Sequence, residues 1–487
     1  MTPEFNVIID DREAPPPELE GLIGFMHFGD LLRRRKRYID EITVAAASAD
    51  DTIVLRTQAD AEKLVSRIEA TRGEALWLRL PAVYAPLNMD ALDHVIQKMR
   101  FALDPILLAP VDIDDAPAVL FGTDAIDLIA AAPGKERRSY LLQFAQKAQD
   151  INHKAQFIDL RQPGALRDFL SNATEPRNFN SLRAETGVFV KSSSDIAKMK
   201  AEHSYFGIAP EQMRRFFLPT FGYEETKDGA SYRMEHLRVP DAALQFVLGA
   251  MQPTQFDQLL DQFFAFAGSR EQDTIGRKAV SAKGKTQIID KMHDRLTVFQ
   301  TTAEGQKVNA QLLAGGIPDG LDGLTKRAAT LLGKALDDFT GSTLAFSHGD
   351  PCLSNILFDA RIGLLRLIDP RGALERADAM MHPLYDIAKL SHSILGGYDF
   401  VNNGLFSVEV NSDLALELNL HRGGAATWIG AAFQKRLAAE GWDYQQVRAV
   451  EASLFLSMLP LHLDHPRKLL AFALIANTII TELETSA

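Results

Sequence analysis

Cysteine is nearly absent from this sequence, which contains only Cys352 among its 487 residues. A single cysteine excludes an internal disulfide and a cysteine-rich metal site, and it fits a reducing compartment such as the cytoplasm. Positive charge is also scarce, because the net charge is −12, and this argues against a nucleic-acid-binding surface. The longest apolar run near the carboxyl end, Leu469–Ile480, is too short for a bilayer span and contains Asn477, so it predicts a buried helix.

Two common nucleotide-binding motifs are missing. No G-x-G-x-x-G follows a predicted strand, and no P-loop sequence is present. Residues 1–150 nevertheless alternate strand and helix patterns, from the strand Phe5–Ile9 through Thr52–Leu55, Ala59–Thr71 and Leu76–Leu80. This alternation predicts an accessory α/β domain, of a degenerate nucleotidyltransferase-like or Rossmann-like type.

Two charged segments of this region each have two interpretations. The pattern of Leu31–Val44 predicts a helix whose basic run, Arg33–Arg37, is a solvated face or a site for phosphate or an acidic partner. Asp112, Asp114 and Asp115 form either a solvated turn, the preferred interpretation, or a metal site.

The most informative stretch is Phe346–Gly372. Ile356–Phe358 and Leu364–Ile368 read as two short strands joined by a turn, which predicts a hairpin. A hairpin brings its two ends together, so we expect Asp350 and Asn355, which precede it, to lie near Asp369, which comes directly after it.

Two carboxylates and an amide that converge in this way repel each other unless a cation lies between them. The only basic side chain that the local sequence places beside them is Arg371. Oxygen-only ligation of this kind suits Mg²⁺.

The pattern His348-x-Asp350-x-x-x-x-Asn355, followed by Ile368-Asp369, resembles the catalytic core of the aminoglycoside phosphotransferase and choline kinase family, relatives of the protein kinases. The resemblance implies an α+β, protein-kinase-like bilobal fold after the α/β domain. Its small, mostly β amino-terminal lobe would be residues 151–238 and its helical carboxy-terminal lobe residues 239–487. It also implies ATP and Mg²⁺ as cofactors.

By the same resemblance, Asp350 is the catalytic base, and Asn355 and Asp369 are the Mg²⁺ ligands. The second motif reads Asp-Pro-Arg rather than Asp-Phe-Gly, a departure typical of small-molecule kinases. The kinase part is also similar to phosphotransferase domains of bacterial capsule and surface-polysaccharide biosynthesis proteins.

The family template further requires a strand lysine that grips the phosphates and a helix glutamate that pairs with it. Lys191, at the end of the strand Gly187–Lys191, and Glu202, in the helix Ile196–Phe206, fit in order and spacing. Only Gly187 is available for the loop that covers the phosphates, so that element is reduced or replaced.

The next strand would lead into a hinge that binds adenine through its backbone. Position along the chain assigns that hinge to Met234, Glu235, His236 and Leu237, although Met234 alone is more typical of a core residue. Asp386, early in the helix after the second motif, resembles the family's structural aspartate. Arg371 either pairs with Asp386 or binds a substrate anion.

The sequence therefore predicts an ATP- and Mg²⁺-dependent phosphotransferase that acts on a hydroxyl of a small molecule: a sugar, an amino alcohol or a polysaccharide precursor. The alternative is a nucleotide-binding pseudokinase or scaffold in surface-polysaccharide biosynthesis. A protein kinase is disfavoured, because little chain separates Asp369 from the next helix.

Overall fold

The computed structural model describes residues 4–23, 27–33, 35–70, 75–86, 88–108, 115–150, 157–171, 180–185, 187–412, 414–463 and 465–486. Helices and strands are mixed throughout these ranges. The chain divides into two compact units, Met1–Thr174 and Glu175–Ala487. The division into three segments at residues 150 and 238 stays a prediction.

The first unit contains short strands and short helices. Its strands are β1 (Phe5–Asp10), β2 (Leu32–Arg33), β3 (Lys36–Arg37), β4 (Asp51–Leu55), β5 (Leu76–Pro81), β6 (Tyr84–Pro86), β7 (Ile106–Leu107), β8 (Ala118–Phe121), β9 (Gln149–Asp150) and β10 (Phe157–Asp159). Its helices are α1 (Glu20–Ile23), α2 (Tyr38–Ala45), α3 (Gln58–Ala70), α4 (Met89–Met99), α5 (Gly122–Ala130), α6 (Lys135–Phe144) and α7 (Pro163–Ser171).

A mixed sheet forms the centre of the first unit. Within the described ranges its six strands follow the order β4-β1-β5-β8-β7-β9. β1 is parallel to β4 and to β5, whereas β8 is antiparallel to β5. Every residue of β1 is buried, as its mostly apolar run FNVII suggests for a central strand. Ile8 and Trp77 of the sheet pack with Leu64 of α3 and Leu128 of α5 in one hydrophobic core.

The predicted helix Leu31–Val44 is wrong in its first half. The chain forms a small β2–β3 hairpin there, and the helix begins only at Tyr38. Arg35 has a φ of +60°, a turn conformation that a helix cannot contain. The basic run is therefore a hairpin rather than a helix face, and its Arg37 pairs with Asp40 at 2.8 Å.

The solvated-turn interpretation is wrong for Asp115, which is only 2 % exposed. Its carboxylate accepts hydrogen bonds from Arg79 at 2.6 and 2.8 Å and from Arg137 at 3.2 Å. Arg79 also donates to Asp10 at 2.9 Å. These groups form a buried ion network that cross-links the ends of the strands, whereas Asp112 and Asp114 lie outside the described residues.

The second unit begins with strands and continues mainly with helices. Its strands are β11 (Asn180–Glu185), β12 (Val188–Ser193), β13 (Thr220–Thr226), β14 (Gly229–Glu235), β15 (Gln272–Thr274), β16 (Thr343–Phe346), β17 (Ile356–Asp359), β18 (Leu364–Leu367), β19 (Met380–Met381), β20 (Phe406–Val410) and β21 (Leu416–Leu420). Its helices are α8 (Ile196–Ile208), α9 (Glu211–Arg214), α10 (Ala242–Val247), α11 (Pro253–Ser269), α12 (Arg277–Gly284), α13 (Lys291–Gln300), α14 (Ala303–Ala314), α15 (Gly320–Asp338), α16 (Leu384–Ile394), α17 (Tyr398–Asn402), α18 (Thr427–Ala439), α19 (Tyr444–Met458) and α20 (Pro466–Thr485).

An antiparallel sheet opens this unit. Four described strands follow the order β11-β12-β14-β13, and β11 and β12 pair as an antiparallel hairpin. Helix α8 packs on the sheet through Met199, which shares a core with Tyr232 and Met234 of β14. Asp195 caps α8 by accepting a hydrogen bond from the Lys198 amide at 3.0 Å.

The helical remainder surrounds the β17–β18 hairpin. That hairpin is confirmed, with Ile356 opposite Leu367 and Asp359 opposite Leu364. The apolar run Leu469–Ile480 lies within α20, most of whose residues are buried against the protein. In the part of the chain that the structure describes, no helix has both the length and the apolar character needed to cross a bilayer.

Candidate active site

A tightly held loop joins β16 to β17 and carries His348 and Asp350. The carboxylate of Asp386, at the start of α16, accepts the amide of His348 at 3.0 Å and that of Gly349 at 2.9 Å. Arg270 lies 3.5 Å from the same carboxylate. Gly349 has a φ of +82°, and a Cβ there would come within 2.7 Å of Arg371. The loop conformation therefore depends on glycine at this position and on a fully buried carboxylate.

His348 is buried behind the loop, and one of its ring nitrogens accepts a hydrogen bond from the loop backbone. It is 0 % exposed, and its Nδ1 accepts a hydrogen bond from the Asp350 amide at 3.2 Å. Burial lowers the pKa of His348, so the ring is neutral at pH 7. His348 therefore stabilises the loop from its buried side. The side chain of Asp350, in contrast, is partly exposed, at 27 %.

Asn355 is oriented by the same loop. Its Nδ2 donates to the carbonyl of Asp350 at 2.8 Å, so its Oδ1 is the atom that can coordinate a cation. The backbone of Asn355 accepts a hydrogen bond from the Ile368 amide at 2.9 Å. This bond ties the entrance of the hairpin to its exit, directly before Asp369.

Asp369 comes after β18 with a φ of +56°, a left-handed conformation that costs roughly 1–2 kcal/mol in a residue other than glycine. Its Oδ1 lies 2.8 Å from Lys191 Nζ, and its side chain is 44 % exposed. Burial raises the pKa of Asp369, but the charge and hydrogen bond of Lys191 outweigh that effect and lower it. Asp369 is therefore a carboxylate at neutral pH, with its second oxygen not engaged by Lys191.

Lys191 links this carboxylate to Glu202. Its Nζ lies 2.7 Å from Glu202 Oε2, and Tyr232 donates to the same oxygen at 3.1 Å. Lys191 is 4 % exposed. Burial lowers the pKa of Lys191, yet Asp369 and Glu202 together raise it above its ordinary value. The predicted pair of Lys191 with Glu202 is thus present, and it extends to Asp369.

The segment after Asp369 is fastened to α8. The amide of Ala373 donates to the carbonyl of Ala201 at 3.1 Å. Gly372, with a φ of +81°, comes so close that a Cβ would lie 2.8 Å from the amide nitrogen of Glu202. The spacing between Glu202 and Asp369 is consequently set by backbone contact as well as by Lys191.

The predicted hinge residues lie at the end of β14 and just after it. Met234 and Glu235 close the strand, and Met234 is 7 % exposed. His236 donates its amide to the carbonyl of Gly187 at 3.1 Å and packs its ring on Phe189, whereas the amide of Leu237 has no backbone partner within the described ranges. Met234 also lines a cavity with Glu202, Tyr232 and Asp369. The hinge role of these residues stays a prediction.

The expectation that Arg371 is the only basic side chain beside the carboxylates is wrong. Besides Lys191 on Asp369, Lys389 of α16 lies 2.8 Å from Asp350 Oδ1. Burial lowers the pKa of Lys389, but Asp350 outweighs it and raises the pKa. The local sequence gives no signal for this contact, because Lys389 and Asp350 belong to separate elements.

The pairing of Arg371 with Asp386 is also wrong. Asp386 is occupied by two backbone amides and by Arg270. Arg371 is exposed, and its guanidinium makes no hydrogen bond or ion pair with any residue that the structure describes. The other interpretation, a substrate anion at Arg371, is left standing.

Comparison with known proteins gives distant similarities only. No family model and no curated protein matches this chain. The crystal structure of a thermostable mutant of aminoglycoside phosphotransferase APH(4)-Ia, in its apo form, is 12% identical at a TM-score of 0.38, over 63% of this chain and 92% of that one. Aminoglycoside phosphotransferase APH(3'')-Id from Streptomyces rimosus, in complex with ADP and streptomycin, is 14% identical at 0.34, over 56% and 86%. At these identities and TM-scores the similarity establishes neither the fold family nor the activity, so a function has to be inferred from the side-chain geometry.

Proposed function

We propose that this chain is an ATP- and Mg²⁺-dependent phosphotransferase, with a protein-kinase-like fold in its second unit, that transfers the γ-phosphoryl group to a hydroxyl of a small molecule in the cytoplasm. The family resemblance leaves three classes of acceptor open: sugars, amino alcohols and polysaccharide precursors. Asp350, Asn355, Asp369, Lys191 and Glu202 are the residues to which we assign the chemistry.

One observation carries the proposal: Lys191 Nζ bridges Glu202 at 2.7 Å and Asp369 at 2.8 Å. A phosphotransferase needs a buried cation at the phosphates beside a carboxylate that can hold a metal ion. A purely structural ion pair would be satisfied by Glu202 alone. The second carboxylate is instead half-exposed and held in a strained backbone conformation, a common property of functional positions.

The donor set fits Mg²⁺. Asn355 offers Oδ1 and Asp369 offers the carboxylate oxygen that Lys191 does not engage, so the protein ligands are oxygen atoms. Among the described residues, no cluster of three or more His, Cys, Asp or Glu side chains could hold a metal by itself. This agrees with Mg²⁺ sites that are completed by nucleotide phosphates and water. The metal, when bound, would neutralise negative charge that develops on the phosphates.

We assign Asp350 the role of the base that accepts the proton of the acceptor hydroxyl. The acceptor oxygen forms a bond to the γ-phosphorus while the bond between that phosphorus and the β,γ-bridging oxygen breaks, and the hydroxyl proton passes to Asp350. ADP and a phosphate monoester are the products. Lys389, 2.8 Å from Asp350, positions the carboxylate and adds positive charge near the transferring group. Adenine would bind to backbone groups of Glu235–Leu237.

A nucleotide-binding protein without turnover, such as a scaffold in surface-polysaccharide assembly, is the second candidate. It is favoured by the turn between β11 and β12, in which Gly187 is the one glycine. A protein that covers the nucleotide phosphates poorly would bind ATP but transfer its phosphoryl group slowly.

A two-part experiment separates the candidates. Thermal denaturation of the full chain is followed with ATP, with Mg²⁺ and with both, and ADP release is then measured with alcohols as acceptors. Stabilisation by ATP and Mg²⁺ together, with ADP release that depends on an added alcohol and on Asp350, supports the phosphotransferase. Stabilisation without transfer to any alcohol supports the scaffold, and no stabilisation contradicts both.

A further inference from the structure

Four basic side chains lie in one region near Asp350. Lys389 contacts it directly at 2.8 Å. Lys291, at the start of α13, interacts electrostatically with Arg371, Arg295 and Lys389 as like charges and with Asp350 as an opposite charge. We call Lys291, Arg295, Arg371 and Lys389 the basic cluster. It brings four basic side chains together, although the protein as a whole is acidic.

Two members of the cluster form no salt bridge with any described residue. Lys291 Nζ lies 3.4 Å from the hydroxyl of Tyr385 and 5.6 Å from the centre of its ring. Arg371 is exposed beside the loop, with its backbone amide bonded to the carbonyl of His348 at 2.9 Å. Lys291 and Arg371 therefore offer their donors to a ligand.

The repulsion among these cations affects the pKa of Lys291. Burial, together with Arg371, Arg295 and Lys389, lowers its pKa to about 7, and Asp350 offsets the effect only in part. A lysine in this condition gains most from an incoming anion, which restores its charge. Groups perturbed in this way by burial and by specific neighbours concentrate at functional sites.

The basic cluster is distinct from the cation at the phosphates. Beyond burial, the charges that act on Lys191 are Asp369 and Glu202, whereas the main ones that act on Lys291 are Arg371, Arg295 and Lys389. One group of charges is thus centred on Asp369 and the other on Asp350. In the proposed reaction the nucleotide phosphates bind beside Asp369, and the acceptor hydroxyl binds beside Asp350.

Resting on the proposed phosphotransferase function, we infer that the acceptor is an anionic alcohol: its carboxylate or phosphate group binds Lys291 and Arg371 while its hydroxyl lies at Asp350. Carboxylates and phosphates share the chemistry that these donors recognise, since both accept charge-assisted hydrogen bonds. Amino alcohols and amino sugars, which bring a further positive charge to the basic cluster, are poor acceptors. Neutral sugars gain no affinity from the basic cluster.

The test uses the full-length protein with Mg²⁺ and a non-hydrolysable ATP analogue. Calorimetry then measures binding of small alcohols matched in size but not in charge: choline, glycerol, glycerate and glycerol 3-phosphate, and glucosamine, glucose, glucuronate and glucose 6-phosphate. The inference predicts that anionic members bind more tightly than neutral ones in at least one series and that cationic members bind least. Comparing glycerate and glucuronate with the two phosphate esters distinguishes a carboxylate from a phosphate.

Variants identify the residues. Lys291→Ala and Arg371→Ala should each weaken anion binding about 10- to 100-fold, the value of one charge-assisted hydrogen bond, and leave binding of the ATP analogue unchanged. Lys291→Arg should retain anion binding, which guards against a folding defect in Lys291→Ala. Lys307→Ala, which removes an exposed lysine of α14, is the matched control and should change nothing.

Failure of the inference and failure of the proposed function look different. If the ATP analogue binds with Mg²⁺ but no anionic alcohol is preferred, the inference is overturned while the phosphotransferase proposal stands. The same holds if Lys291→Ala and Arg371→Ala weaken the ATP analogue instead of the anions, because the basic cluster would then serve the nucleotide. Absence of any binding of the ATP analogue overturns both.

Discussion

Lys389 Nζ lies 2.8 Å from Asp350 Oδ1, and this contact joins α16 to the loop that carries the proposed base. A base that is already paired with a lysine must share its carboxylate between the lysine and the substrate. The lysine fixes the direction of the Asp350 carboxylate. The pair therefore holds a partly exposed carboxylate in one orientation, as a base for an acceptor hydroxyl requires.

Asp350→Asn should lower kcat by about 10²–10⁴, because general base and positioning effects of one residue have that size. Affinity for ATP should change little, since Lys191 and Asp369 hold the phosphates in the proposal. Steady-state kinetics with the acceptor that supports the most turnover measures the first effect, and calorimetry with the ATP analogue measures the second. Near full activity in Asp350→Asn would remove this residue from the chemistry.

Lys191→Met should lower kcat/KM for ATP by about 10²–10³, the usual effect of removing one preorganised donor from a developing charge. The exposed Lys198 on α8 also faces Glu202, at 3.8 Å, and offers a matched control. Lys198→Met should change kcat/KM by less than about fivefold, because exposed ion pairs contribute little. Equal effects of the two substitutions would contradict the phosphate role of Lys191.

Acceptor binding should depend on pH through Lys291. Its pKa is lowered to about 7, first by burial and then by Arg371, Arg295 and Lys389, while Asp350 and Tyr385 are its other neighbours. Below pH 7 the lysine is charged and an anion binds at full affinity. Above pH 7 the free site loses its proton, so affinity should fall up to about tenfold per pH unit.

Calorimetry from pH 6 to pH 9, in buffers of different ionisation enthalpy, should therefore show proton uptake on anion binding near pH 8. Lys291→Arg should abolish both the proton uptake and the pH dependence in this range, because arginine stays protonated. A pH profile that is the same in wild type and Lys291→Arg would show that Lys291 does not titrate at the site.

The ion network of the first unit should contribute strongly to its stability. Arg79→Met leaves Asp10 and Asp115 buried with fewer cations, so we expect a loss of about 3–5 kcal/mol in the free energy of unfolding. Arg67→Met breaks only an exposed pair with Asp51 and should cost about 1 kcal/mol or less. Hydrogen exchange of the β1 and β5 amides compares the two variants, and similar protection in both would contradict the prediction.

Local patterns in the sequence were sufficient for some features. The β17–β18 hairpin is predictable from two short apolar runs around the turn Asp359–Gly363, and the cap of α8 is predictable from Asp195. These features depend on residues close together along the chain. The pairing of Lys191 with Glu202 needed the family resemblance, because nothing local distinguishes that lysine from an exposed one.

Contacts between distant segments were not predictable in this way. Lys389 and Lys291 reach Asp350 from two different helices, and Asp115 is buried because Arg79 and Arg137 meet it from other elements. Charge patterns alone predict that such residues are exposed to solvent. The helix predicted from Leu31 failed for a related reason, since the turn at Arg35 is a backbone conformation that periodicity does not reveal.

The central claim, that Lys191 and Asp369 hold a nucleotide with its metal ion, is tested most directly by one titration. Binding of the non-hydrolysable ATP analogue is measured with and without Mg²⁺ in the wild type and in Asp369→Asn. The account predicts that Mg²⁺ tightens binding in the wild type and that this effect is lost in Asp369→Asn. Binding that is indifferent to Mg²⁺ in both proteins, or no binding in the wild type, would contradict it.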